Sequence, residues 1–84
     1  MILVVRNIEH RVNETELMHL FNSYGEVIET NIVYDPTTWE PKGFAIVEME
    51  NKKEAIEAMV NLNGVKLHGK SLVVKKAHVF ENRG

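Results

Sequence analysis

Eight consecutive residues, Lys42 to Met49, alternate between two sets of side chains with a period of two. Such alternation is typical of a β-strand with one buried face and one open face. Ala45, Val47 and Met49 form the set that we expect in a core. The opposite set consists of Lys42, Phe44, Ile46 and Glu48. This open set is either a platform on which a nucleic-acid base stacks or part of a core strand with one exposed ring.

The size and composition of the chain predict one small domain. Its 84 residues are 44% hydrophobic, which is sufficient for a single modest core. The sequence has no cysteine, no recognisable signal peptide and no apolar run near the roughly 18 residues that a membrane helix needs. We therefore expect an intracellular, cytoplasmic protein without membrane association, with a domain over residues 1–78 and a tail over residues 79–84.

Two helices are predicted from similar start signals. Asn13 precedes Glu16 by three residues, and Asn51 precedes Glu54 by three, so each pair has the spacing of a capping box. Apolar stripes at helical spacing follow both signals, and Gly25 is the predicted C-terminal stop of the first helix. The stripes contain Leu17, Leu20, Phe21 and Tyr24 in the first helix, and Ala55, Ala58, Met59 and Leu62 in the second.

Strands are predicted on either side of each helix. Ile2–Arg6 and Val27–Tyr34 have strand composition, and Lys42–Met49 follows a loop that contains turn-forming residues. A short hairpin around His68 precedes the last strand, Ser71–Lys76, so the order strand, helix, strand occurs twice. We expect one core between the sheet and the helices that contains Leu3, Val5, Leu17, Phe21, Ile32, Val47, Ala58, Leu72 and Val74.

Two segments carry a resemblance to a known family. Lys42–Met49 resembles the longer ribonucleoprotein motif of RNA recognition motif domains, and Leu3–Ile8 resembles the shorter hexamer of their first strand. Further matches in the same order extend the resemblance over residues 2–77. The resemblance implies an α+β, ferredoxin-like split βαβ fold (βαββαβ). In that fold a four-stranded antiparallel sheet is backed by two helices, and the two motif strands are central and adjacent.

The family usually places three aromatic rings on its open sheet face, whereas this chain retains one of them. The three positions are occupied here by Val4, Phe44 and Ile46. Stacking on one aromatic side chain is worth roughly 1–3 kcal/mol per base, so the two replacements remove a large part of the usual stacking energy. The resemblance therefore implies binding of single-stranded RNA that is weak or tolerant of sequence, with single-stranded DNA as a further candidate ligand.

Charge is distributed unevenly along the chain. The formal net charge is −2, but residues 1–41 contain two basic and seven acidic side chains (net −5), whereas residues 42–84 contain eight basic and five acidic ones (net +3). Phosphate contacts are therefore expected mainly from the second half, with Arg6 as the exception. The residues that we predict to bind nucleic acid are Phe44, Lys42, Ile46, Val4, Arg6, Asn31, Lys75 and Trp39.

A protein-interaction module is the alternative hypothesis. A contiguous exposed apolar patch usually marks an interface, and the open sheet face would then bind a partner protein or a second copy of the chain. Salt dependence separates the two hypotheses, because RNA binding weakens steeply with salt and apolar docking does not. The expected contact patch contains Val4, Val33, Phe44, Ile46 and Val73.

Two aromatic residues outside the strands have open roles. Trp39 lies in the loop before the predicted strand Lys42–Met49, where its ring is expected to pack down as an anchor, with stacking over a base as the alternative. Phe80 lies in the tail and is a candidate replacement for a missing stacking ring. The four histidines are interpreted as surface residues without metal-ligand spacing, and no catalytic motif is present, so we expect neither an enzyme nor a cofactor.

Overall fold

The computed structural model describes residues 1–77, and the predicted α+β architecture is confirmed over this range. The elements are β1 (Ile2–Arg6), α1 (Glu14–Asn22), β2 (Val27–Tyr34), β3 (Pro41–Met49), α2 (Lys52–Leu62), β4 (Lys66–Leu67), β5 (Lys70–Ser71) and β6 (Val73–Lys76). Four strands form an antiparallel sheet in the order β2-β3-β1-β6, while β4 and β5 form a separate hairpin. The predictions for the tail and Phe80 lie outside the described residues.

Both helices begin where the asparagine signals predict. The side-chain oxygen of Asn13 accepts a hydrogen bond from the Glu16 amide at 2.8 Å, and that of Asn51 accepts one from the Glu54 amide at 2.9 Å. Each cap stabilises its helix by about 1 kcal/mol, because it satisfies an amide that has no partner within the helix. The Glu16 carboxylate contacts His68 and does not return to the cap, so only one half of that predicted capping box forms.

Gly25 has a different role from the predicted helix stop. The first helix is capped by Ser23 in a helical conformation, and Gly25 is not among the residues with positive φ. A Cβ atom on Gly25 would lie 2.7 Å from the Cβ atom of Glu54, at the start of α2. Real Cβ atoms do not approach this closely. Glycine is therefore required here because the end of α1 and the beginning of α2 come into close contact.

The core lies between one face of the sheet and the two helices. All nine core residues predicted from sequence are buried, and Phe21, Leu3 and Leu17 are fully inaccessible to solvent. Tyr24 is only half-buried and packs at the margin of this core, although its helical spacing predicts a core position. The core also contains Ile8, Val12, Ala45, Met49, Ala55 and Leu62. With this face filled by helices, the opposite face of the sheet is left open, as the alternation in β3 predicts.

Candidate nucleic-acid interface

The strand register brings four of the predicted binding residues into one row across the open face. Val4 in β1 pairs with Ile46 in β3 and with Lys75 in β6. Ile46 in turn pairs with Asn31 in β2. Val4 and Ile46 are half-buried, whereas the two polar residues at the ends of the row are exposed. The row is therefore an apolar strip with an amide at one end and an ammonium group at the other, and we call it the central row.

A second row lies beside the central row and contains the retained aromatic ring. Arg6 pairs with Phe44 on one side and with Val73 on the other. Residues directly opposite each other in an antiparallel pair have Cα atoms about 4.5–5.5 Å apart. The Phe44 ring is half-buried and Arg6 is exposed, so a cation is adjacent to the ring. This Arg6–Phe44 row can bind a base and a phosphate at the same time, because it combines a π-face with a charged donor.

The predicted position of Lys42 beside Phe44 depends on an alternation that the structure interrupts. Gly43 has φ of +90° within β3, and the register between β2 and β3 shifts at this point. The Gly43 carbonyl accepts a hydrogen bond from the Ile8 amide at 2.9 Å, which holds the irregular segment against the end of β1. A glycine is suited to this conformation because it has no Cβ. The alternation of side chains therefore does not extend from Phe44 back to Lys42.

Lys42 is instead close enough to Asp35 to influence its titration. The backbone amide of Thr37, followed by that of Thr38, lowers the pKa of the Asp35 carboxyl below its usual 3.8, and the charge of Lys42 lowers it further. Lys42 is exposed, and its positive charge lies near the loop that connects β2 to β3. Of the predicted phosphate contacts, Arg6 and Lys75 occur on the regular sheet face, whereas Lys42 belongs to its loop end.

The expectation that Trp39 packs down as an anchor is wrong, because its side chain is 77% exposed. Asp35 organises the loop: one carboxylate oxygen accepts hydrogen bonds from the amides of Thr37 (2.8 Å) and Thr38 (3.2 Å), and the Asp35 carbonyl accepts one from Trp39 (2.8 Å). Trp39 has φ of +64°, which is unfavourable for a bulky side chain. The loop therefore holds a strained backbone that presents the indole to solvent.

An acidic pair at the other end of the open face was not predicted from sequence. Glu29 in β2 lies directly opposite Glu48 in β3, and the Asn31 amide donates a hydrogen bond to the Glu29 carboxylate at 2.9 Å. Like charges directly opposite each other in a sheet repel. The alternation within each strand predicts that each glutamate lies on the open face. Only the register between β2 and β3 shows that the two glutamates lie opposite each other. Phosphate groups are disfavoured at this end, so the open face has a basic end and an acidic end.

Within residues 1–77 the side chains do not suggest a metal centre or a membrane segment. No group of three or more His, Asp or Glu residues in this range is arranged to hold a metal ion. In the same part of the chain, no helix combines the length and the apolar character needed to cross a bilayer. The groups available for ligand binding on the open face are thus a ring, two cations, an amide and an apolar strip.

Comparisons with known proteins agree with this arrangement of strands and side chains. The model of the family described as RNA recognition motif matches residues 3–73. The human protein cleavage stimulation factor subunit 2 is 35% identical over 79 residues, which cover 94% of this chain and 14% of the relative. The chain therefore spans only about one seventh of the length of this relative, and the similarity concerns a domain rather than the whole protein.

Solved structures with the same fold include RNA-binding proteins. The crystal structure of RNA binding protein PG1 has a TM-score of 0.88 and 35% sequence identity, covering 92% of this chain and 93% of that one. The structure of the Rna15 RRM with bound RNA (GU) has a TM-score of 0.80 and 26% identity, covering 90% of this chain and 81% of the other. The similarity thus extends over nearly the whole domain in both structures.

Proposed function

Because the chain belongs to the RNA recognition motif family, we propose that it binds single-stranded RNA through the open face of its sheet. The observation that carries this proposal is the Arg6–Phe44 row next to the central row. A ring, a guanidinium group and an apolar strip lie within the span of a few nucleotides. The RNA-bound Rna15 domain, which has the same fold, supports the same class of ligand.

In the proposed complex each group has a distinct role. A base stacks on Phe44. Arg6 in β1 and Lys75 in β6 contact phosphates of the same RNA strand. Asn31 offers an amide at the edge of the face, although its NH₂ group already donates one hydrogen bond to Glu29. Val4 and Ile46 provide apolar contact with sugars and bases but have no π-face. Binding is therefore weaker and more tolerant of sequence than on a face with three rings.

The loop end supplies a second aromatic ring. Trp39 is exposed, and the positive charge of Lys42 lies near the same loop. We propose that an RNA strand runs from the Arg6–Phe44 row toward this loop, with the indole stacking on a further base. The path away from the loop is disfavoured because Glu29 and Glu48 repel phosphates at the other end of the face. The bound RNA strand is therefore expected to leave the open face at its basic loop end and to avoid its acidic end.

A second candidate function is docking of a protein partner or of a second copy on the same face. The central row favours it, because Val4 and Ile46 provide an apolar strip without the rings that make the face selective for bases. Val33 and Val73 are also half-buried and extend the apolar area. In this case the cations would lie at the rim and would contribute little to affinity.

One titration distinguishes the two functions. The ¹⁵N-labelled chain is titrated with random-sequence single-stranded RNA octamers at about 50 and about 200 mM salt, while amide shifts are recorded, and DNA octamers are tested in parallel. RNA binding is expected to shift the amides of Arg6, Phe44 and Lys75 and to weaken about sevenfold at the higher salt, as expected when about two phosphates are neutralised. If the same amides shift with protein concentration in the absence of RNA, and if these shifts do not depend on salt, then self-association and not RNA binding is the function of this face.

A further inference from the structure

A groove lies at the edge of the sheet, between α1 and β2. It has a volume of about 320 Å³ and is lined on its apolar side by Met18, Val27 and Ile28. Ile28 is 51% exposed, so a large apolar side chain of the groove is open to solvent. β2 is an edge strand, because it pairs with β3 alone within the described sheet. The groove therefore combines an apolar surface with a strand edge.

The backbone of β2 directs hydrogen-bonding groups toward this edge. The Ile32 amide donates to the Glu14 carboxylate at 2.8 Å, so it faces away from β3. The register is regular from Glu29 to Ile32, and alternate residues of a strand direct their backbone groups to the same side. The amide and carbonyl of Thr30 therefore face outward as well. The hydroxyl oxygen of Thr30 is buried and has no hydrogen-bond partner.

The charge of the groove restricts its occupant. Both ionisable side chains among the lining residues, Glu14 and Glu29, are carboxylates. Residues 1–41, which include α1 and β2, have a net charge of −5, from two basic and seven acidic residues. An RNA strand would place phosphates against these carboxylates, so nucleic acid is a poor fit. A basic peptide fits, since its cations pair with the rim while an apolar side chain enters the groove.

We propose that this groove binds a basic, extended segment of a partner protein that adds a strand to the outer edge of β2. The backbone of the segment would pair with Thr30, and one of its apolar side chains would lie between Met18 and Ile28. This mode of recognition uses backbone hydrogen bonds for affinity and one pocket for specificity. The peptide would lie at the outer edge of β2, whereas the Arg6–Phe44 row lies on the open face of the sheet, so peptide and RNA can bind together.

A second copy of the chain fits the groove less well. Pairing of two β2 edges would bring the acidic rims together, which disfavours a symmetric dimer. The other edge strand, β6, is basic through Lys75, but Val74, its apolar residue on the helix side of the sheet, is only 3% exposed and is committed to the core. On the helix side of the sheet, β6 therefore has no apolar side chain that is free to fill the groove. The charge and shape together favour a foreign basic segment.

The probe for a direct test is a fluorescein-labelled peptide of alternating lysine and valine, with a control peptide in which glutamate replaces every lysine. We expect saturable binding of the lysine peptide to the whole chain, with amide shifts at Thr15, Met18, Ile28 and Thr30 and none at Phe44. The glutamate peptide should bind at least tenfold more weakly because of the acidic rim. Absence of saturation at about 1 mM lysine peptide, or equal affinity for both peptides, would overturn the proposal.

Two substitutions assign the binding to the groove. Ile28→Thr keeps strand propensity and removes the apolar contact, and Thr15→Lys adds a positive charge at an exposed lining position. Each substitution should lower the affinity for the lysine peptide about tenfold. Val60→Thr is the matched control, because Val60 is 67% exposed on α2 and does not line the groove. An equal loss in Val60→Thr, or displacement of the peptide by RNA octamers, would contradict the proposal. Self-association that is abolished by Ile28→Thr would assign the groove to a second copy.

Discussion

The Nε2 atom of His68 lies 2.8 Å from a carboxylate oxygen of Glu16, although the two residues are 52 positions apart in the chain. His68 is in the turn of the β4–β5 hairpin, and Glu16 is in the first turn of α1. The backbone at His68 has φ of +53°, so a non-glycine residue occupies a turn position that favours glycine. The contact therefore ties the separate hairpin to the main body of the domain.

The first prediction concerns this contact. Glu16→Gln should destabilise the domain by about 0.2–1 kcal/mol, because the pair is partly exposed and screened by solvent. Amide hydrogen exchange in β4 and β5 should accelerate more than exchange in β1 and β3, since the attachment of the hairpin is weakened when Glu16 loses its charge. A double-mutant cycle with His68→Ala measures the coupling. Strict additivity of the two substitutions would show that the contact contributes nothing to stability.

The second prediction concerns the pH dependence of the loop that contains Trp39. The amides of Thr37 and Thr38 hold the pKa of Asp35 below its usual 3.8, so the ionised carboxylate is the form that stabilises the loop. This stabilisation is fully present above pH 3.8 and is lost as the pH falls through the lowered pKa of the folded state. The amide shifts of Thr37 and Thr38 should titrate together in this acid range.

Asp35→Asn is the control for this titration. Its side-chain oxygen can still accept hydrogen bonds from the two amides, but it has no charge to lose in acid. The variant should keep the loop conformation at neutral pH and should lack the acid transition of the Thr37 and Thr38 amide shifts. If the transition persists in Asp35→Asn, another group is responsible for it.

The third prediction separates stability from binding at Trp39. Trp39→Gly should stabilise the domain by about 1 kcal/mol relative to Trp39→Ala, because glycine adopts positive φ without a steric penalty. Both variants should lose RNA affinity by about 1–3 kcal/mol if the indole stacks on a base. Urea unfolding and RNA titration of both variants measure the two effects. Unchanged RNA affinity in both variants would remove Trp39 from the proposed site.

Local sequence signals predicted most of the fold but less of the site. The helix starts at Asn13 and Asn51 and the burial of Ala45, Val47 and Met49 follow from spacing alone, because capping and alternation involve residues close in sequence. Such signals also located Phe44 on the open face. They are sufficient for the architecture because each element carries its own pattern.

The features that were missed depend on how the strands meet. The Glu29–Glu48 pair depends on the register between β2 and β3, which is regular from Glu29 to Ile32 and shifts beyond both ends of this segment. The interruption at Gly43 occurs where its carbonyl accepts a hydrogen bond from the amide of Ile8, which lies just beyond β1. The exposure of Trp39 results from the closed hydrogen-bonded loop at Asp35. The first two features join residues far apart in sequence and have no signature within a short window. The Asp35 loop is local, but its turn-forming residues did not indicate which way the Trp39 side chain would point.

The fourth prediction tests the retained ring. Phe44→Ala should weaken binding of RNA octamers by about 1–3 kcal/mol while leaving the fold intact, because the ring is half-buried on the open face and does not belong to the core. Phe21→Ala is the contrasting variant, since its ring is fully buried and its loss should cost about 3–5 kcal/mol of stability. A Phe44→Ala variant that unfolds as readily as Phe21→Ala would mean that the Phe44 ring is needed for the fold.

The fifth prediction restores the two missing rings. Val4 and Ile46 pair directly with each other in the central row, and neither belongs to the buried core. Val4→Tyr with Ile46→Phe places two aromatic side chains at positions where strands accommodate them well. Affinity for single-stranded RNA should rise by roughly 1–3 kcal/mol per ring, less the cost of ordering the RNA. The dependence of affinity on salt should change little, because no cation is added.

The outcome of this double substitution distinguishes the two functions proposed for the open face. Higher affinity at an unchanged salt slope is expected if RNA bases lie over Val4 and Ile46 in the parent chain. The matched control is Ile56→Phe on α2, an exposed aliphatic residue away from the sheet face that should leave RNA affinity unchanged. If the double variant folds normally and binds RNA no better than the parent, the central row is not accessible to bases. Docking of a protein partner or a second copy would then be the function of this face.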